Sequence, residues 1–317
     1  MVQTVCGKVS PEALGHFQIH EHIWVHHTPL ADKNPALQID NYEKSLAELR
    51  TYRNAGGCGF ADAQPVAAGR NAEMLKKLSE ESGVHIVAPT GYHLNAFYPE
   101  NCWIHALGEE ELFDLYSSEL EVGMLAWQED PTVKPAVRTD IKAGLVKAAI
   151  PAEGPVGRYE TLLRAAARAA AGSHVPLMIH TEKGLHVMEA LEICYGAGLK
   201  PENIIICHVD RQASDYAPFD LIAAQGVWLD FDTVGRFKYH SDAEEVALLQ
   251  HLMPYAGKIM LALDTTAARL HSYDGEIGLD YIFTDFIPQL RDAGFCEEVI
   301  RGYTTVNCWN AFAASTK

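Results

Sequence analysis

Basic residues are scarce in this chain: 25 Lys and Arg stand against 42 Asp and Glu, a formal net charge of −17. Nucleic acid and anionic membrane surfaces need a positive footprint that this balance does not supply, so neither is expected as a partner. Long apolar runs are also missing. No stretch approaches the roughly 18 uninterrupted apolar residues of a membrane-spanning helix, and residues 1–10 lack a basic segment followed by an apolar one. A soluble, cytoplasmic protein is the expectation. The seven cysteines are irregularly spaced and form no Cys-x-x-Cys pair, which argues against a disulfide framework or a zinc knuckle. They read as reduced, mostly buried small hydrophobes. No repeat, low-complexity tract or Pro/Gly/Ser-rich linker divides the 317 residues, so one domain over 1–317 is expected.

Hydrophobic residues make up 48% of the chain, ample for a core, and histidine is in surplus with 15 copies. Short apolar segments rich in β-formers alternate with longer helical patterns, the mark of βαβ units in a parallel sheet. Eight such strands are predicted, at 17–24, 58–63, 85–90, 144–148, 176–180, 203–208, 227–231 and 258–264. Asn71 is placed to cap the helix AEMLKKLSEE and Gly83 to end it, while the helix ETLLRAAARAAA should close at Gly172. The long acidic segment 95–140 is expected to hold a helix plus loop excursions over one end of the sheet. Eight alternating units in a chain of this length point to a (β/α)8 TIM barrel.

In such a barrel chemistry sits at the carboxyl ends of the strands, and five of the eight predicted strands end on a ligand-type residue. The first carries His20-Glu21-His22; alternation turns the two histidines inward together and Glu21 the other way. Lys147 follows the apolar run of the fourth strand, His180 and His208 end the fifth and sixth, and Asp264 ends the eighth. Each has a plainer explanation alone, such as a core histidine, a lysine paired to a carboxylate, or an aspartate capping a helix. Together, in that order, coincidence explains them poorly.

The order of these residues resembles that of the phosphotriesterase branch of the amidohydrolase superfamily, from about residue 15 to 312. The supporting motifs are GHFQIHEH, Gly69-Arg70, PTGY, KAGLVK, IHT, CHVD, DFDTVGR, LALDTT and GLDYIFTDFIPQLRDAG. One departure is Asn307-Cys308, where the family has Asn-Pro. The resemblance implies two divalent metals, with His20, His22 and Asp264 on the buried one, His180 and His208 on the more exposed one, and Lys147 bridging both. A free amine cannot bridge two cations, whereas the carbamate formed with carbon dioxide offers one oxygen to each. Zinc is the first expectation, with manganese or cobalt as alternatives. Water shared by two metals becomes hydroxide near neutral pH, and Asp264 would accept its proton as it attacks. Asp264 and Lys147 are thus the expected catalytic groups; Lys142, five residues earlier, ranks below Lys147 as the modified residue.

Phosphotriesterases proper place a histidine just after the seventh strand, where this chain has Phe231. That departure favours a carboxylic ester or lactone, whose departing alkoxide takes the proton itself, over an organophosphate triester. Arg236, Lys238 and Arg269 lie in the last two loops and would suit an anionic substrate, unless they are ordinary surface charges. Tyr92, His93 and Tyr98 are further candidates for the pocket lining. Phosphoric ester or amide hydrolysis by the same residues is the alternative, and a non-catalytic binding barrel fits less well because all six ligand positions are occupied. The oligomeric state is left open, a homodimer being compatible.

Overall fold

The parallel strands are apolar on both faces, as a sheet covered by helices requires; Ile204, Ile205, Ile206 and Cys207 are all fully buried. The computed structural model describes residues 1–212 and 215–314, so residues 213, 214 and 315–317 of the expected domain lie outside the described residues. A hairpin of β1 (Val2–Thr4) and β2 (Gly7–Val9) precedes the barrel. The barrel strands are β3 (His16–Glu21), β4 (Gly57–Asp62), β5 (His85–Val87), β6 (Pro89–Gly91), β7 (Leu145–Ala149), β8 (Leu177–His180), β9 (Ile204–Cys207), β10 (Trp228–Phe231) and β11 (Ile259–Leu261).

Strand pairing runs β3-β4-β5 and then β6-β7-β8-β9-β10-β11, all parallel. β5 and β6 are two halves of the third predicted strand, interrupted at Ala88, and they hand the sheet from one neighbour to the other. The remaining gap is closed where Asp264 N–H donates to His20 O at 3.2 Å. This is the (β/α)8 barrel. Gly91 is required at the third strand's carboxyl end: its φ is +104°, and a Cβ would strike the Lys147 carbonyl.

The helices include α1 (Tyr42–Asn54), α2 (Ala72–Ser82), α3 (Glu109–Glu121), α4 (Arg158–Ser173), α5 (Val187–Gly196), α6 (Ala217–Ala223) and α7 (Asp242–His251). Asn71 caps α2 by accepting from Met74 N–H at 3.1 Å, and Gly83 ends it in the left-handed conformation, both as predicted. α4 does not close at Gly172. It runs to Ser173, and His174 takes the left-handed cap at φ +53°. Segment 95–140 holds α3 and flanking turns, as expected. Among the described residues no helix is long and apolar enough to cross a membrane.

One core lies between strands and helices. A second fills the barrel interior, where Ile19, Val87, Leu145, Met178, Ile205 and Met260 pack beneath the carboxyl-end residues. Arg70 and Glu119 pin the outer layer near that end with a bidentate pair at 2.7 Å, and Arg70 also donates to Pro89 O at 2.6 Å. Both side chains are buried. Arg70→Ala strands the Glu119 charge, and a loss of about 3–5 kcal/mol is expected in urea unfolding. A loss under about 1 kcal/mol would mean that the pair contributes little.

Candidate active site

Two residues leave the regular strand conformation at the point where they enter the site. His208 follows β9 at φ +64°, and Asp264 follows β11 at φ +46°, so the sixth and eighth predicted strands stop short of their ligand-type residues. The first strand likewise ends at Glu21 instead of residue 24, and His22 lies just past it. Lys147 differs in the opposite sense. It is the middle residue of β7, not its end, and pairs across the ladder with Gly91 and Met178.

These positions converge. One donor atom from each of His20, His22 and Asp264 lies within 4.8 Å of the others, and His22 Nε2 is 3.5 Å from Asp264 Oδ1. His180 Nδ1 and His208 Nε2 face each other at 2.8 Å. Their far nitrogens are held from behind: His180 Nε2 by Glu182 at 3.1 Å, and His208 Nδ1 by Asp232 at 2.7 Å. His20 Nδ1 rests 2.9 Å from Asp230, leaving Nε2 turned toward Asp264. A carboxylate on one ring nitrogen fixes the tautomer and presents the lone pair of the other, the usual support for a metal-binding histidine. Lys147 is fully buried, with the Met178 sulfur 3.3 Å from Nζ. Among the described residues no carboxylate forms an ion pair with it.

The electrostatics favour the neutral forms of His20, His180 and His208. Burial, with Lys147 adding to it, lowers His20 to about 4, and burial also lowers His180 and, further, His208. Burial works against a charged Asp264, yet Arg236 beside it, helped by the nearby His22, holds this carboxyl well below the usual carboxylate range. Neutral imidazoles and an ionised carboxylate are the forms that bind cations. Glu21, turned away as predicted, accepts from Leu263 N–H at 2.8 Å and from the Thr265 hydroxyl at 2.8 Å, bracing β3 against the segment that carries Asp264.

A cavity of about 260 Å³ opens over these side chains, and His93, Arg236 and Lys238 line it. Three other expected lining residues do not. Tyr92 and Tyr98 stack on each other at 4.2 Å behind His93, and the Tyr98 hydroxyl accepts from the His93 N–H at 2.9 Å. Arg269 turns inward, donating to the Leu263 and Val234 carbonyls. A buried guanidinium that satisfies two backbone acceptors holds loops in place and is not available to a ligand. Lys142 lies at the opposite mouth of β7, in a cavity with Gln3 and His174.

Sequence inspection missed Asp230, Asp232, Glu182, Arg211 and Tyr239. The Asp230-Phe231-Asp232 alternation carried the same signal as His20-Glu21-His22: both aspartates face the histidines, while Phe231 packs outward near Phe219. Arg211 donates to Asp264 at 3.0 Å, and Arg236 contacts the same carboxylate. With Lys238 they surround the Tyr239 ring at 4.7–5.7 Å. No spacing rule links Arg211 to Arg236; only the fold brings them together.

A sequence profile of the phosphotriesterase family matches residues 1–308. The chain is similar to the phospho-furanose lactonase of Mycoplasmopsis synoviae, 27% identical over 314 residues that cover 94% of this chain and 87% of the lactonase. It is similar also to the N-acetyltaurine hydrolase of Danio rerio, 25% identical over 343 residues and 94% of each chain. The crystal structure of an amidohydrolase from Mycoplasma synoviae superposes with a TM-score of 0.90 at 25% identity, over 98% of this chain and 91% of that one.

Proposed function

The chain belongs to the phosphotriesterase family of hydrolases, and from that premise we propose that it opens a lactone or cleaves a carboxylic ester bearing an anionic group. The observation that carries this is the convergence of His20, His22, His180, His208 and Asp264 above a buried Lys147 that has no carboxylate partner among the described residues. We assign His20, His22 and Asp264 to one divalent ion and His180 and His208 to another. Bound there, the ions would ionise water near neutral pH and polarise the carbonyl under attack. Zinc, manganese and cobalt all suit the donors, and availability selects among them.

The chain's own residues then have defined tasks. Lys147, kept from water and ion pairing, is the amine placed to add carbon dioxide; the new N–C bond gives a carbamate and releases a proton. Asp264, held ionised by its neighbours, would take a proton from the attacking water, and the departing alkoxide would retrieve it from Asp264. Asp230, Asp232 and Glu182 keep the imidazoles oriented. Arg211, Arg236 and Lys238 form a cationic patch at the cavity in an acidic protein, suited to a phosphate or carboxylate on the substrate. The phospho-furanose lactonase named above fits this choice.

Amide hydrolysis by the same donors is the second reading, favoured by similarity to a hydrolase of N-acetyltaurine, itself an anionic amide. A panel of phosphorylated and neutral lactones, carboxylic esters, acyl amides and organophosphates separates them. A phosphorylated lactone is expected to give the highest kcat/KM, and an acyl amide or organophosphate ahead of every lactone and ester would overturn the choice. Lys238 lines the cavity without touching Asp264, so Lys238→Ala should raise KM for the phosphorylated substrate about tenfold, the loss of one charge-assisted contact of roughly 1.4 kcal/mol. KM for a neutral lactone should hardly move, and equal effects on both would remove Lys238 from anion recognition.

A further inference from the structure

A second polar cluster stands behind the wall of the cavity. Asp210, His240 and Glu245 are buried, and one donor atom from each lies within 4.8 Å of the others. Thr233 satisfies one side of Asp210, its N–H and its hydroxyl each donating to Oδ2 at 2.7 Å. The other oxygen, Oδ1, has no hydrogen-bond partner among the described residues. Among the described residues neither oxygen of Glu245 accepts a hydrogen bond either, although this side chain is fully buried, and its Oε2 lies 3.2 Å from His240 Nε2.

His240 is oriented from its far side. Its Nδ1 is 3.1 Å from the Ser241 carbonyl, which can only accept, so Nδ1 carries the hydrogen. Nε2 is thereby turned inward, toward the carboxylates and the Thr233 hydroxyl 2.8 Å away, and offers its lone pair to an ion once it carries no hydrogen. Two carboxylates confined with one imidazole cannot all be satisfied by protonating the ring, since an imidazolium cancels only one negative charge. A divalent ion cancels two, and three orphaned oxygens are available to it.

We propose that Asp210, His240 and Glu245 form a separate structural site for one divalent transition-metal ion, distinct from the donors at the barrel mouth. One imidazole and two carboxylates suit manganese or zinc better than magnesium or calcium, which prefer oxygen alone. The ion would tie the segment after β9, which carries Asp210, to α7, which carries Glu245. Between them runs the loop that brings Arg236 and Lys238 to the cavity. Its role is to hold that cationic loop in register.

Crystals of the full chain, stripped with EDTA and soaked in manganese(II) chloride alone, test this by anomalous scattering. A peak is expected about 2.0–2.3 Å from Asp210 Oδ1, His240 Nε2 and the Glu245 carboxylate. Glu245→Gln should abolish it with the backbone unchanged, and His240→Gln should do the same where Glu245→Gln does not crystallise. A wild-type map without this peak overturns the proposal whatever binds at the barrel mouth, as does a peak that survives the substitutions.

Discussion

Lys147→Ala is expected to lose turnover and metal together. The bridging residue is the protein group that both ions would share, so its removal weakens each and forfeits several kcal/mol of charge stabilisation. At 1.36 kcal/mol per decade, that corresponds to about a thousandfold or greater drop in kcat. Formate or acetate in solution should restore part of both activity and metal by occupying the vacated space. Lys142→Ala is the control, because Lys142 sits at the opposite mouth of β7; its activity and metal content should match the parent. Activity lost in Lys142→Ala but kept in Lys147→Ala would reverse the assignment.

His208→Ala carries the second large effect. This imidazole faces His180 at 2.8 Å, so its loss should remove about one of two bound metals and lower turnover by roughly a thousandfold. The fold should persist. Asp232 retains the backbone N–H of residue 208 at 2.9 Å as a donor, and the apolar barrel interior lies beneath the substitution. Metal analysis beside a thermal melt separates the outcomes: a cooperative melt with half the metal is expected, whereas global unfolding would make His208 a structural residue.

Much of this arrangement was legible before the fold was known, for definite physical reasons. A barrel strand is buried on both faces, so His20, His180 and His208 stand out against apolar neighbours, and period-two alternation pairs His20 with His22. Boundaries were harder. Strands at 17–24 and 258–264 end early because the chain turns at the site: Asp264 adopts a positive φ that hydrophobicity does not encode. Substrate contacts were the least legible, since proximity to the mouth in sequence does not decide which way a side chain points. Arg236 enters the cavity while Arg269, from the next loop, folds back onto two carbonyls. Arg211, Asp210 and Glu245 become informative only when segments far apart in sequence meet.

The most direct measurement is anomalous diffraction from crystals grown with zinc and bicarbonate. Two peaks about 3.5–4 Å apart are expected between His20, His22 and Asp264 on one side and His180 and His208 on the other, with planar density extending Lys147 Nζ between them. An occupied site that leaves out His180 and His208, or a free Lys147 amine beside fully loaded metals, would contradict the two-metal account.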